Sequence, residues 1–306
     1  MTAGINFQGR VAIITGAGNG LGREHALLLA SRGARVVVND LGGQVDGSGS
    51  SSAPADLVVQ EIRDRGGEAV ANPCSVTTPE GAEEIVAAAL NAFGRVDIVI
   101  NNAGILRDSS FAKMPPANWD AVVEVHLRGA MCVTQAAWKH MKEQSYGRII
   151  NTSSNAGIFG NFGQANYAAA KTGLIGLTRV LAQEGRKSGI LANLIAPIAR
   201  TRMTEALLGR LASKLAPGLV SPVVAYLASE ACQCSGEIFS VGGGRVSHLF
   251  IGATQGIFNP NLTVEDMAAR FAEIVDDTGY TVPMSTPEET ALFIKAIKSA
   301  EERAVS

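Results

Sequence analysis

Arg10-Val-Ala-Ile-Ile-Thr-Gly-Ala-Gly-Asn-Gly-Leu-Gly22 is the stretch on which the fold of this chain turns. Its first half is an apolar run without polar alternation, as in a strand covered on both faces of a parallel sheet. Glycines at 16, 18, 20 and 22 follow, then a helical segment to about Arg32, which Gly33 ends. Arg35-Val-Val-Val-Asn39 is a second apolar strand, closed by Asp40. A glycine turn alone is weak evidence. In the order strand, turn, helix, strand, acid it becomes a dinucleotide-binding fingerprint. Glycine lets the backbone approach a pyrophosphate, and the helix N-terminus offers free amides and partial positive charge. Gly16, Gly18, Asn19, Gly20 and Leu21 are the candidate turn contacts. Asp40 is placed to accept hydrogen bonds from a ribose diol and to repel a 2′-phosphate.

Working outward, Leu41 to Ser52 is rich in Gly and Ser and reads as a mobile surface loop, a solvated connection in preference to a substrate-facing one. A helix is expected from about Pro54 to Arg65, then a strand from Glu68 to Asn72 leading into Cys74-Ser75-Val76. Thr78-Pro79-Glu80 starts another helix, with the hydroxyl as N-cap and proline in the first turn. Val96 to Ile100 is a fourth strand. Asn101-Asn102-Ala103-Gly104 sits at its C-terminal end, where open parallel sheets bind ligands, although such a turn also occurs without one. A long helix from about Ala117 to Met141 carries His126; a histidine facing a core is more often structural than a proton carrier. Further strands are expected at Gly147 to Ser154, Ile190 to Ile195 and Glu237 to Val241, with a helix over Val220 to Ser229. This alternation predicts an α/β, doubly wound Rossmann domain over residues 1–246 with a seven-stranded parallel sheet. Residues 247–306 read as a helical extension packed on that domain. Ser247 to Pro260 is expected as loop, Thr263 opens a helix, and Thr286-Pro-Glu-Glu289 is a capping box starting a last one.

The chemistry centres on Ser154 and Tyr167-Ala-Ala-Ala-Lys171. Tyr167 and Lys171, four apart on a helix, share a face. A phenol is a poor acid or base at neutrality, and a lysine cation one turn away lowers its pKa. With a hydroxyl to hold a substrate oxygen, the parts for carbonyl–alcohol interconversion are present. The pair alone recurs by chance on many helices, so the surrounding fold has to carry the reading. Composition excludes other classes: 306 residues with net charge −2 give no basic field for nucleic acid. No metal site is expected, since the close cysteines, Cys232-Gln-Cys234, lack zinc-ligand spacing. No apolar run is long enough for a membrane span. Four cysteines reading as reduced thiols suggest a cytoplasmic enzyme.

Across about residues 9 to 245 the chain resembles the short-chain dehydrogenase/reductase superfamily. Thr15-Gly16-x-x-x-Gly20-x-Gly22, Asn101-Asn102-Ala103-Gly104 and Ser154…Tyr167-x-x-x-Lys171 are its motifs in its order. Val38-Asn-Asp-Leu-Gly-Gly43, Asn102 to Asp108, Val125-His-Leu-Arg-Gly129 and Gly160 to Tyr167 resemble more closely the dehydrogenase unit of the peroxisomal multifunctional enzymes of type 2. That unit oxidises (3R)-3-hydroxyacyl-CoA thioesters with NAD; here the chain would be a stand-alone homologue. The resemblance implies Tyr167 as acid/base, Lys171 as its electrostatic partner and ribose ligand, and Ser154, thirteen residues before Tyr167, as holder of the substrate oxygen. It implies NAD as cofactor, with Asp40 on the adenine ribose and Ser75, Val76 and Asn102 near the adenosine half. Gly104 joins the cofactor contacts, and Ala199 and Thr201 sit at the nicotinamide. His126 stands where the superfamily has a helix asparagine whose backbone carbonyl holds a relay water, and Cys74 stands where an acid commonly meets adenine. An acyl-CoA substrate and a homodimer or homotetramer are further implications. A hydroxysteroid or general secondary-alcohol dehydrogenase would use the same scaffold, and a non-catalytic NAD-binding protein is the reading from another class.

Overall fold

The computed structural model describes residues 4–204 and 209–305. Two compact units emerge, Met1–His248 and Leu249–Ser306. In the first, strands and helices alternate: β1 Val11–Thr15, α1 Gly20–Ser31, β2 Arg35–Asn39, α2 Ala53–Asp64, β3 Glu68–Asn72, α3 Pro79–Phe93 and β4 Ile98–Asn101. Then come α4 Pro116–Val123, a π-helical turn Glu124–Arg128, α5 Gly129–Glu143, β5 Gly147–Thr152, α6 Asn155–Phe159, α7 Ala165–Gly185, β6 Ile190–Pro197, α8 Ser221–Ala228 and β7 Ile238–Gly242. The sheet order is β3-β2-β1-β4-β5-β6-β7, continued by an eighth strand, β8 Arg245–Leu249. The order reverses between β1 and β4, so the crevice beyond their C-terminal ends is the switch point at which such sheets bind ligands.

Strand alternation divides the core. Ala12 and Ile14 of β1 face a cluster with Leu29 of α1, Ile62 of α2 and Val224 of α8. Val11 and Ile13 face the other, with Ile85 of α3 and Val133 and Met141 of α5. Both faces of the sheet are therefore covered, which is why its strands read as unbroken apolar runs. At the opposite edge from the crevice, fully buried Asp97 accepts from Val11 N (2.9 Å) and pairs with Arg10 and Arg95. Thr78 caps α3 by accepting from Gly81 N, as expected.

Three expectations need correction. The sheet has eight strands where seven were expected, because Gly243 and Gly244, with φ of +57° and +83°, turn the chain back directly after β7. A two-residue link permits only an antiparallel neighbour, so β8 differs from the parallel strands before it; it takes residues 247–249 from the predicted loop. The long helix is also not uniformly α: its π turn sits around His126. In the second unit, the helix expected to open at Thr263 is α9 Val264–Ile274, which Thr263 caps through a reciprocal box with Asp266. For α10 Thr286–Val305 the capping hydroxyl is Ser285, one residue before the expected Thr286; it accepts from Glu288 N (3.4 Å) and donates to Glu288 Oε1 (3.2 Å).

Candidate active site

The turn between β1 and α1 is built by close approach. A Cβ on Gly16 (φ +63°) would lie 2.8 Å from Ala103 Cα, and one on Gly22 would lie 2.4 Å from Gly16 O. Gly18 donates its N–H to Asp40 Oδ2 (2.8 Å), and a side chain there would strike that carboxylate. Asp40 Oδ1 accepts from Gly42 N (2.7 Å), so backbone donors orient both carboxylate oxygens. Asn19 precedes α1 without a side-chain cap bond, which leaves first-turn amides for a ligand. This cradle fits a dinucleotide pyrophosphate with Asp40 beside a ribose.

Asn102 secures the turn from the next strand. Its Nδ2 donates to Thr15 O and Gly16 O (both 3.0 Å), while Asn102 N and Ala103 N donate to Thr15 Oγ1 (both 3.0 Å). Its amide donor is thus spent on shaping the cradle. Asn101 Nδ2 reaches Asn151 Oδ1 (2.8 Å), binding the ends of β4 and β5 together.

Ser154, Tyr167, Lys171 and His126 line one cavity of about 500 Å³, with Asn19, Gly20, Leu21, Asn102, Gly104, Ala199 and Thr201. A second cavity of about 410 Å³ is lined by Gly16, Asp40, Ser75, Val76 and Cys74. Gly104, Arg202 and Met203 line both, which joins them into one cleft; of the candidate site residues Gly18 alone lines neither cavity and meets the cleft only through its bond to Asp40. Ser153 donates to Lys171 O (2.8 Å) and is committed to holding α7. Ser154, the N-cap of α6, is the hydroxyl left to line the cavity, next to the Tyr167 phenol. Lys171 Nζ lies 5.4 Å from the Tyr167 ring centre and donates to Thr152 O (2.5 Å).

The electrostatics differ from the sequence expectation. Burial pushes the Tyr167 phenol up to about 12, which the Ser154 hydrogen bond opposes and the Asp108 charge reinforces. Burial likewise pushes the Lys171 ammonium down to about 7. Desolvation therefore dominates the phenol, in place of the lowering by Lys171 that the sequence suggested. His126 is buried and held well below its usual range by desolvation first and by the charge of Lys171 second. Its Nε2 lies 2.8 Å from Ile105 O and 3.1 Å from Ile105 N, its ring meets Tyr167 edge-on at 5.0 Å, and its Nδ1 has no partner.

Sequence reasoning missed part of the lining. The 41–52 loop is no mere solvated connection: Gly43, Gln44, Val45 and Gly47 line the second cavity, and Val45 O accepts from Leu106 N (2.9 Å). A Gly/Ser-rich stretch carries no periodicity to mark such a wall. Arg107, which donates to Asp46 O (2.8 Å), was also unmarked. Thr204 shapes the far wall, donating to Ala199 O (2.6 Å) and accepting from Thr201 N (2.9 Å). Among the described residues no cluster of candidate ligands could hold a metal, and no helix is long and apolar enough to cross a membrane.

Residues 10–210 match the sequence model of a family described as short chain dehydrogenase. A Mycobacterium tuberculosis protein named only as a short-chain type dehydrogenase/reductase is 55% identical over 89% of this chain and 96% of its own length. The peroxisomal multifunctional enzyme type 2 of Mus musculus is 47% identical over the whole chain, which spans only 42% of that protein. The solved full-length peroxisomal multifunctional enzyme type 2 of Drosophila melanogaster superposes with a TM-score of 0.81 at 38% identity, over 96% of this chain and 50% of that one.

Proposed function

The chain belongs to the short-chain dehydrogenase family, and from that premise we propose that it is an NAD-dependent (3R)-3-hydroxyacyl-CoA dehydrogenase. The observation that carries the chemistry is the single cavity lined by Ser154, Tyr167 and Lys171 and continuous with the Asp40 pocket. The substrate class rests on likeness to the multifunctional enzymes of type 2, whose full length this chain does not span. Its free cysteines suit a reducing, cytoplasmic setting.

In this reading the nicotinamide supplies the hydride acceptor. Ser154 holds the substrate oxygen and Tyr167 removes its proton. Lys171 would hold the nicotinamide ribose, and positive charge brought beside the phenol would offset the desolvation that keeps Tyr167 protonated. Asp40 would hold the adenine ribose, with Ser75 and Val76 lining the adenosine half and Ala199 and Thr201 the nicotinamide end. The test is a panel of straight-chain and steroidal 3-hydroxyacyl-CoA thioesters with NAD, followed by NADH absorbance. Turnover of at least one chain-length class is expected. Activity on free steroid alcohols with none on any thioester would replace the reading with a hydroxysteroid dehydrogenase.

A further inference from the structure

Asn166, next to Tyr167 in sequence, is fully buried and uses its whole carboxamide. Its Oδ1 accepts from Tyr167 N at 2.8 Å. Its Nδ2 donates to Arg107 O and to Asn118 O, each at 3.1 Å. Tyr167 N–H belongs to the first turn of the Ala165–Gly185 helix, where amides have no partner within the helix. Arg107 lies in the segment after β4, and Asn118 lies on the Pro116–Val123 helix. One side chain thus fixes the backbone of Tyr167 against two other parts of the fold.

We propose that Asn166 is a positioning residue for the reaction, setting the pitch of the first helical turn so that the Tyr167 hydroxyl points at the substrate oxygen. This rests on the reading of Tyr167 as the acid/base, and on no particular acyl chain. The surrounding bonds separate this role from general stability. Lys171 is anchored independently through Thr152 O and Ser153 Oγ. The approach to the helix is also tied without Asn166: Ser109 N donates to Gly163 O (2.9 Å) and Gln164 Nε2 to Asp108 Oδ2 (2.8 Å). Losing the Asn166 carboxamide therefore leaves the helix docked and Lys171 in place, and releases the turn that aims Tyr167.

The test compares Asn166→Leu and Asn166→Ser with wild type. The first keeps the branched heavy-atom shape and removes all three hydrogen bonds. The second keeps one hydroxyl, which cannot reach both carbonyls, and serves if the first fails to fold. We expect kcat to fall by about 10- to 100-fold in Asn166→Leu, the scale of a misplacement near 1 Å, and by less in Asn166→Ser. The dissociation constant for NAD should stay within about two-fold, since no cofactor contact is altered. The deuterium isotope effect on kcat, with substrate labelled at the oxidised carbon, should rise as hydride transfer becomes rate-limiting. Unchanged kcat, or a kcat loss matched by lost NAD binding with no change in isotope effect, overturns the proposal. If the wild type ignores hydroxyacyl-CoA but oxidises another secondary alcohol, only the substrate reading fails, and the comparison is run on that alcohol. A wild type that oxidises no secondary alcohol overturns both.

Discussion

His126 shows how one residue's position decides between two roles. A relay histidine needs a ring nitrogen free to exchange protons near neutrality, but desolvation keeps this imidazole neutral. Its Nε2 faces both the N–H and the C=O of Ile105 and can serve only one of them at a time. A carboxamide carries a donor and an acceptor and can serve both. His126→Asn should therefore keep kcat within about ten-fold of wild type, whereas loss of a proton carrier would cost on the order of 100-fold. A pH–rate profile that loses a limb in this variant would favour the carrier. Tyr167→Phe tests the opposite expectation: it removes the proposed proton acceptor, so turnover should drop by at least about 100-fold with NAD binding kept. Asp40 is the residue proposed to set cofactor choice. With both oxygens fixed by Gly18 N and Gly42 N, the carboxylate cannot swing away from a 2′-phosphate. We expect kcat/KM for NAD to exceed that for NADP by on the order of 100-fold, as like charges in close contact cost several kcal/mol. Equal efficiencies with both would show that Asp40 does not read the ribose.

Helix α1 carries a titration of its own. His25 is fully buried between α1 and α8, with Nδ1 2.8 Å from Ser221 Oγ, and burial pushes it down to about 3. Unfolded, it titrates near its ordinary value of about 6.5. Between those two values the unfolded chain holds a proton that the folded chain refuses. Stability is thus complete above about pH 6.5 and is lost as pH falls toward 3, by up to about 1.4 kcal/mol per pH unit from this residue. Urea midpoints of wild type and His25→Gln, compared from about pH 7.5 to about pH 5, should converge as pH drops. A constant difference would show that His25 takes up a proton in the fold as readily as in the unfolded chain. Elements like this helix were legible because a buried parallel sheet writes itself in apolar runs punctuated by glycine, and β1 through β7 follow from that rule. Strand β8 was not legible: Arg245-Val-Ser-His-Leu249 alternates weakly, and its pairing depends on the Gly243-Gly244 turn. The site motifs were legible because each marks a strand end or a helix face. The 41–52 wall and the Asn166 bonds were not, since both arise where segments distant in sequence meet.

At the scale of the molecule, family membership gives the reaction class, and the substrate has to be argued from the cleft. Ser154 and Tyr167 line a cavity of about 500 Å³ together with Asn19, Gly20 and Leu21 of the glycine turn. Phe159 and Met203 supply apolar lining, and Phe159 is largely exposed, so that side of the cavity opens outward. An acyl chain or ring system can lie there while the remote CoA moiety supplies binding energy that positions the reacting carbon. A free 3-hydroxy acid lacks that energy and brings its own carboxylate toward a site already under the charge of Asp108. We therefore expect kcat/KM for a (3R)-3-hydroxyacyl-CoA to exceed that for the matching free acid by at least about 100-fold. The (3S) epimer, with hydrogen directed at Ser154 and Tyr167 in place of oxygen, should be oxidised more slowly by a similar factor or more, because a near-attack geometry cannot form. One assay of the two epimers and the free acid with NAD decides the matter. Epimers oxidised at equal rates would mean that Ser154 and Tyr167 do not fix the carbinol. A free acid as efficient as its thioester would mean that the CoA moiety contributes nothing, and the chain would then be a dehydrogenase of simple secondary alcohols.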